Sequence, residues 1–149
     1  MEKTRGQRLA NDCWAILVGE NRFGSDPTAW KDQNAHPHAS KYLAALRKTT
    51  NRVYNSGPGL ALAFLRAKGD DKDRRALKWA AEDLEELVKD APAIPDGEDD
   101  DLIETIRSGG VRVLMQVTEE MLGAITWLTR YLEGEDVEPA KDEEDSADE

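Results

Sequence analysis

The two histidines and the single cysteine of this 149-residue chain are its first candidates for chemistry. His36 and His38 flank Pro37, which favours an extended turn, whereas two metal ligands on one helix face need i, i+3 or i, i+4 spacing. We therefore interpret them as loop histidines without a special role. Cys13 stands among apolar residues and fits a small buried hydrophobe. These residues predict no metal site and no cofactor.

Catalytic motifs are absent from the rest of the sequence. Residues 56–59, Ser-Gly-Pro-Gly, lack the Gly-Lys-Ser/Thr ending of a phosphate-binding loop and indicate the start of a helix. The acidic pairs Glu85-Glu86 and Glu119-Glu120 are typical of solvated helix faces. No local motif pairs a nucleophile with a base. The sequence favours a binding protein over an enzyme with dispersed catalytic residues.

Basic side chains on one predicted helix form the first surface pattern. Lys41, Lys48 and Arg52 fall at i, i+7 and i+11, which places Lys48 and Arg52 each within about 20° of Lys41 on a helix. Arg47 flanks this basic ridge, and no acidic residue occurs from Lys41 to Tyr54. Such a ridge suits the tracking of a phosphate backbone, because each cation can replace a condensed counterion. A plain solvated helix face is the alternative.

Aromatic residues away from the apolar stripes form the second pattern. Trp79 lies about 140° from the apolar face of its helix, which makes it a candidate for a partner surface or for base stacking. Trp127 and Tyr131 lie nearly opposite the apolar stripe of the last helix, with Val113 and Val117 on their side. A helix that is apolar on two faces is central in its own bundle or built into an assembly. For the two valines we favour burial within the same chain.

The spacing of apolar residues predicts six helices, over about 3–18, 38–54, 58–68, 71–90, 102–106 and 111–132. Pro58 suits the start of the third helix, and Gly109-Gly110 breaks the chain between the last two. Residues 21–34 and 92–97 are predicted loops. No segment alternates in the way a strand requires. We expect an all-α fold, a compact single-domain bundle of five to six helices over residues 1–132.

The last seventeen residues, 133–149, hold ten acidic residues and almost no apolar side chain large enough to pack. They are a predicted disordered acidic tail, whose removal after Gly134 should leave stability nearly unchanged. The net charge of −11 is unevenly spread, because residues 1–79 carry 15 basic against 8 acidic residues, a net of +7. No apolar run approaches the roughly 20 residues of a membrane span, and one cysteine gives no disulfide, so we expect a cytoplasmic protein.

Three segments resemble a known family. Residues 55–69, Asn-Ser-Gly-Pro-Gly-Leu-Ala-Leu-Ala-Phe-Leu-Arg-Ala-Lys-Gly, resemble a helix of the small subunit of the type III-B CRISPR effector, the Cmr complex. The basic amphipathic stretch 3–17 and the ending 124–132, Ala-Ile-Thr-Trp-Leu-Thr-Arg-Tyr-Leu, are similar to that family's first and last helices. The loop 21–34, the acidic run 98–101 and the acidic tail depart from the family core.

The resemblance implies a non-catalytic subunit of a prokaryotic antiviral defence complex. Such a subunit stacks along the effector, against backbone subunits and copies of itself, and helps hold the guide RNA and the single-stranded target RNA. A stand-alone helical adaptor that binds a protein partner is the alternative. The residues expected to contact RNA are Lys41, Arg47, Lys48, Arg52, Arg66, Lys68 and Arg75. The residues expected at a partner interface are Phe64, Trp79, Trp127 and Tyr131.

Overall fold

The computed structural model of the chain describes residues 4–69, 74–92, 94 and 101–140. The described ranges contain five α-helices: α1 (Arg5–Leu17), α2 (Pro37–Gly69), α3 (Arg75–Lys89), α4 (Leu102–Ser108) and α5 (Gly110–Gly134). A short 3-10 helix spans Pro27–Ala29, and these described ranges contain no strand. The predicted all-α bundle is confirmed. No helix in these ranges is long and apolar enough to cross a membrane.

Helix α2 consists of two segments that meet at a kink at Gly57. The backbone there has φ of 87° and ψ of 165°, a conformation that side chains other than glycine rarely adopt. The guanidinium carbon of Arg52 lies 3.5 Å from the centre of the Phe64 ring, whereas twelve residues of straight helix would span about 18 Å. The second segment therefore begins at Pro58, as the sequence predicted.

A second break separates α4 from α5 at the predicted Gly109-Gly110 pair. Gly110 has φ of 76°, in the left-handed region. A Cβ atom on Gly109 would lie 2.6 Å from the Thr105 carbonyl oxygen and 2.7 Å from the Val113 Cβ. A larger residue would clash at Gly109 and would be strained at Gly110. This glycine pair therefore sets the turn between α4 and α5.

The core lies between α2, α3 and α5, and α1 covers α5. The segment between α1 and α2 adds to this core, because Phe23 and Trp30 are buried there. The Trp30 indole N–H donates a hydrogen bond to the Gly24 carbonyl oxygen at 3.2 Å. Treating residues 21–34 as a surface loop missed these two rings. Val117 is buried within the chain, as predicted.

The packed chain continues past the predicted boundary at Leu132. Helix α5 ends at Gly134, and the Val137 side chain is buried with an exposed fraction of 4%. The Ala140 N–H donates to the Ser40 carbonyl oxygen at 3.0 Å, which ties this segment to the start of α2. The first part of the predicted tail thus belongs to the folded bundle. Residues 141–149, and residues 98–100 of the acidic run, lie outside the described residues.

Two acidic side chains on helices are buried with arginine partners. Glu120 is only 3% exposed and accepts hydrogen bonds from the Arg5 Nε at 2.6 Å and the Arg8 guanidinium at 3.1 Å. The expectation of a solvated face was wrong for Glu120. Asp83 is 2% exposed and accepts two hydrogen bonds from the Arg22 guanidinium, at 2.6 and 2.8 Å.

The Asp83 carboxylate has a third donor, the hydroxyl of the fully buried Tyr42, at 2.7 Å. Burial, followed by the negative charge of Asp83, raises the pKa of Tyr42 well above its usual value of 10. The tyrosine thus stays protonated and keeps donating across the physiological range. The Arg22–Asp83–Tyr42 network joins α2, α3 and the loop that precedes α2.

Candidate nucleic-acid interface

The basic ridge lies on the first segment of α2. Lys41 is exposed, whereas Lys48 and Arg52 are partly buried. The same segment buries Leu43 and Leu46 in the core, so the ridge occupies a surface side of the helix. Its two ends reach two further groups of basic and aromatic residues.

One end of the ridge meets the second segment of α2. The Phe64 ring lies beneath the Arg52 guanidinium, at 3.5 Å, and its centre is 5.5 Å from the Lys68 Nζ. Both contacts are cation–π interactions. The structure thus brings together two predicted RNA-contacting residues and one predicted partner residue in a single basic group.

The other end of the ridge meets the start of α3. The His38 imidazole stands 5.2 Å from the Trp79 ring at an interplanar angle of 82°. Lys41 follows His38 by one turn of α2, and Arg75 precedes Trp79 by one turn of α3; both cations are exposed. We call these four residues the His38 cluster.

The cluster is electrostatically unfavourable for a charged histidine. Burial, and then the positive charges of Arg75 and Lys41, lower the pKa of His38 below its usual value of 6.5. From the sequence we interpret His38 as a loop histidine without a role at the start of the helix predicted from about residue 38, and the structure places it in the first turn of α2. Its i, i+3 spacing to Lys41 was the one signal in the sequence that could have singled it out.

Trp79 is packed by its own chain. The Arg22 guanidinium carbon lies 5.0 Å from the centre of its ring, and the Phe23 ring meets it edge-on at 6.1 Å. A base cannot stack on the face that Arg22 covers. The geometry favours Trp79 as a support for His38 over the base-stacking platform that the sequence suggested.

Two predicted RNA-contacting arginines join distant parts of the chain. Arg47 is ion-paired with Glu133 of α5. The Arg66 guanidinium lies 2.5 Å from the Glu85 carboxylate of α3 and 3.3 Å from the Asp101 carboxylate. Their charges are largely matched by these acids, so they contribute less to the surface potential than Lys41 or Arg75. Their partners lie 86, 19 and 35 residues away in the chain, which no local pattern reveals.

Trp127 and Tyr131 pack around α1. The Tyr131 ring lies 5.6 Å from Trp127 and 5.1 Å from Trp14. Its hydroxyl donates to the Ala10 carbonyl oxygen at 3.0 Å. These contacts attach α1 to α5 and leave both residues only partly exposed.

Apolar side chains are exposed elsewhere, at the start of α5. Val111 and Met115 have exposed fractions of 72% and 66%, and Leu114 is exposed as well. Helical periodicity favours Leu114 and Met115 as part of the apolar stripe of the last predicted helix, but both are exposed. The three residues share one side of the helix, because they are three and four positions apart. An apolar strip of this kind suits contact with another protein.

The described part of the chain contains no group of three or more His, Cys, Asp or Glu side chains that could hold a metal ion. Residues 28–135 match the model of the family described as CRISPR-associated protein (Cas_Cmr5). The match covers more than two thirds of the chain and includes the ridge and the His38 cluster. No curated protein and no solved structure matches the chain.

Proposed function

The chain belongs to the Cas_Cmr5 family and is a small subunit of the type III-B Cmr CRISPR complex, and from this membership we propose that it helps hold the guide RNA and the target RNA. It would do so by charge and packing, while the cutting groups lie in other subunits. The proposed setting is antiviral defence in a prokaryotic cytoplasm, where guide and target strands meet.

The observation that carries the proposal is the basic ridge with its two end groups. Lys41, Lys48 and Arg52 are aligned on a helix surface that has no acidic residue from position 41 to 54. Arg75 extends the positive surface at one end and Lys68 at the other. RNA phosphates would displace counterions along such a line, so the contact would be independent of sequence and sensitive to salt.

The exposed strip Val111, Leu114 and Met115 supports a second part of the proposal, contact with neighbouring subunits. It lies on α5, whereas the ridge lies on α2. An apolar protein-binding strip and a basic RNA-binding ridge on separate helices would let the subunit join the assembly and hold RNA at the same time. Backbone subunits and further copies of this chain are the proposed occupants.

Reconstitution of the effector complex with and without this subunit tests the proposal. The complex lacking it should bind single-stranded target RNA more weakly, and the loss should be greatest at low salt, where the phosphate contacts of this subunit contribute most. The positions of the cuts should stay the same. Equal affinities for the two complexes would contradict the proposal. Failure of the chain to co-purify with guide RNA and other subunits would favour a stand-alone adaptor.

A further inference from the structure

We propose that His38 is a proton-linked contact for an RNA phosphate, which it would bind together with Lys41 and Arg75. The inference rests on the proposed RNA-holding function and adds a residue and a regulatory property to it. RNA would bind this site more tightly as the pH falls, because His38 would take up a proton when the phosphate arrives.

The geometry holds the imidazole in one place. His38 stands nearly perpendicular to the Trp79 ring, at 5.2 Å, and this ring is itself fixed by Arg22 and Phe23. Lys41 lies three positions after His38 on α2, and Arg75 lies four positions before Trp79 on α3, so each exposed cation stands one helical turn from one member of the ring pair. Helices α2 and α3 thus group three nitrogen-bearing side chains around this ring pair, and positively charged hydrogen-bond donors are what a phosphate group needs.

The two charged groups that lower the pKa of His38, Lys41 and Arg75, are both cations. Lys41 comes from its own helix, Arg75 from α3 and Arg22 from the preceding loop, beyond the Trp79 ring. Arg22 is matched by Asp83. In the described ranges no acidic side chain is ion-paired with Lys41 or Arg75; residues 70–73 lie outside those ranges.

This environment gives the sign of the pH effect. Partial burial and the two cations lower the pKa of unbound His38, so the imidazole is neutral near neutral pH. A phosphate beside it would favour the imidazolium and raise its pKa. Binding therefore takes up a proton between the two pKa values, and affinity increases as the pH falls through that window. One linked proton limits the change to about tenfold per pH unit.

The test is the affinity of the reconstituted complex for single-stranded target RNA from about pH 5.5 to about pH 7.5. Three complexes are compared, carrying the wild-type subunit, His38→Gln or His36→Gln. His36 is the matched control, since it is the only other histidine and its ring meets Phe23 instead of Trp79. The affinity ratio of wild type to His38→Gln should rise several-fold as the pH falls, whereas His36→Gln should follow wild type.

A constant ratio of wild type to His38→Gln across this pH range would overturn the inference. Should His38→Gln fail to assemble, Arg75→Ala provides the test: it removes a cation from beside His38, so the pH dependence should move to higher pH. An unmoved profile for Arg75→Ala would also overturn it. Lys48→Ala, outside the cluster, separates this inference from the proposed function. If Lys48→Ala weakens RNA binding at every pH while the His38 ratio is constant, the inference alone fails; if neither changes binding, both fail.

Discussion

The central carbon of the Arg52 guanidinium lies 3.5 Å from the centre of the Phe64 ring, and this contact joins the two segments of α2. One member of the basic ridge thereby takes part in the fold. Lys41, at the other end of the ridge, is exposed and has no such contact among the described residues. Substitutions at Arg52 and at Lys41 therefore distinguish the contribution of the ridge to folding from the contribution of its charge.

The Arg52→Ala variant should lower the free energy of unfolding by about 1–2 kcal/mol, because a partly desolvated cation–π contact is lost. Lys41→Ala should change it by no more than about 0.5 kcal/mol, as is usual for an exposed residue. Urea unfolding of both variants, followed by circular dichroism, measures the difference. Equal stabilities would show that the Arg52–Phe64 contact contributes nothing to the fold.

The buried carboxylate of Asp83 provides a second stability test. Asp83→Asn keeps the shape but leaves the Arg22 charge without its buried partner, which should cost about 3–5 kcal/mol. Glu82→Gln is the matched control, since Glu82 meets the same guanidinium at 3.4 Å but its side chain is 52% exposed. That pair should be worth no more than about 1 kcal/mol. Similar losses for both variants in denaturant unfolding would contradict the assigned burial.

Cys13 reports on the attachment of α1 to α5. Its thiol contacts the Ala124 carbonyl oxygen at 3.8 Å, and burial raises its pKa to about 12. Reaction with a thiol reagent near neutral pH should therefore require α1 to detach. Glu120→Gln should speed labelling roughly tenfold to a hundredfold, because it weakens the hydrogen bonds to Arg5 and Arg8. Glu119→Gln, at an exposed position, should change the rate much less; equal acceleration would argue against the buried clamp.

Local signals in the sequence were sufficient for the helices and their breaks. Gly57-Pro58 and Gly109-Gly110 are visible as breaks because the backbone itself demands them, and the ridge follows from helical periodicity alone. The burial of Asp83 and Glu120 could not be predicted from local sequence. The arginine partner of Asp83 lies 61 residues away in the chain, and the two arginine partners of Glu120 lie 112 and 115 residues away. Phe23 and Trp30 were missed because an irregular segment has no period that marks its inward side.

Burial near the end of the chain could not be predicted from the sequence either, and it gives a further prediction. Val137 is one apolar residue in an acidic stretch, and only the structure shows that it packs. Truncation after Gly134 should lower the free energy of unfolding by about 1 kcal/mol. This is the favourable free energy of burying the Val137 side chain minus the entropic cost of ordering the segment that carries it. Truncation after Ala140 is the control and should have no effect, because residues 141–149 contain no apolar side chain larger than alanine. Equal melting temperatures for both truncations would restore the boundary predicted at Leu132.

The central claim, that the basic ridge holds RNA, is tested most directly by the salt dependence of target-RNA affinity in the assembled complex. The variant Lys41→Ala/Lys48→Ala/Arg52→Ala is compared with Arg107→Ala/Arg112→Ala/Arg130→Ala, which removes the same charge from exposed positions on α4 and α5. Loss of three phosphate contacts should flatten the slope of log affinity against log salt by about two units, at about 0.7 per contact for a single strand. The control should leave the slope nearly unchanged. An unaltered slope in the ridge variant, or equal flattening in both, would contradict the assignment of the ridge to RNA.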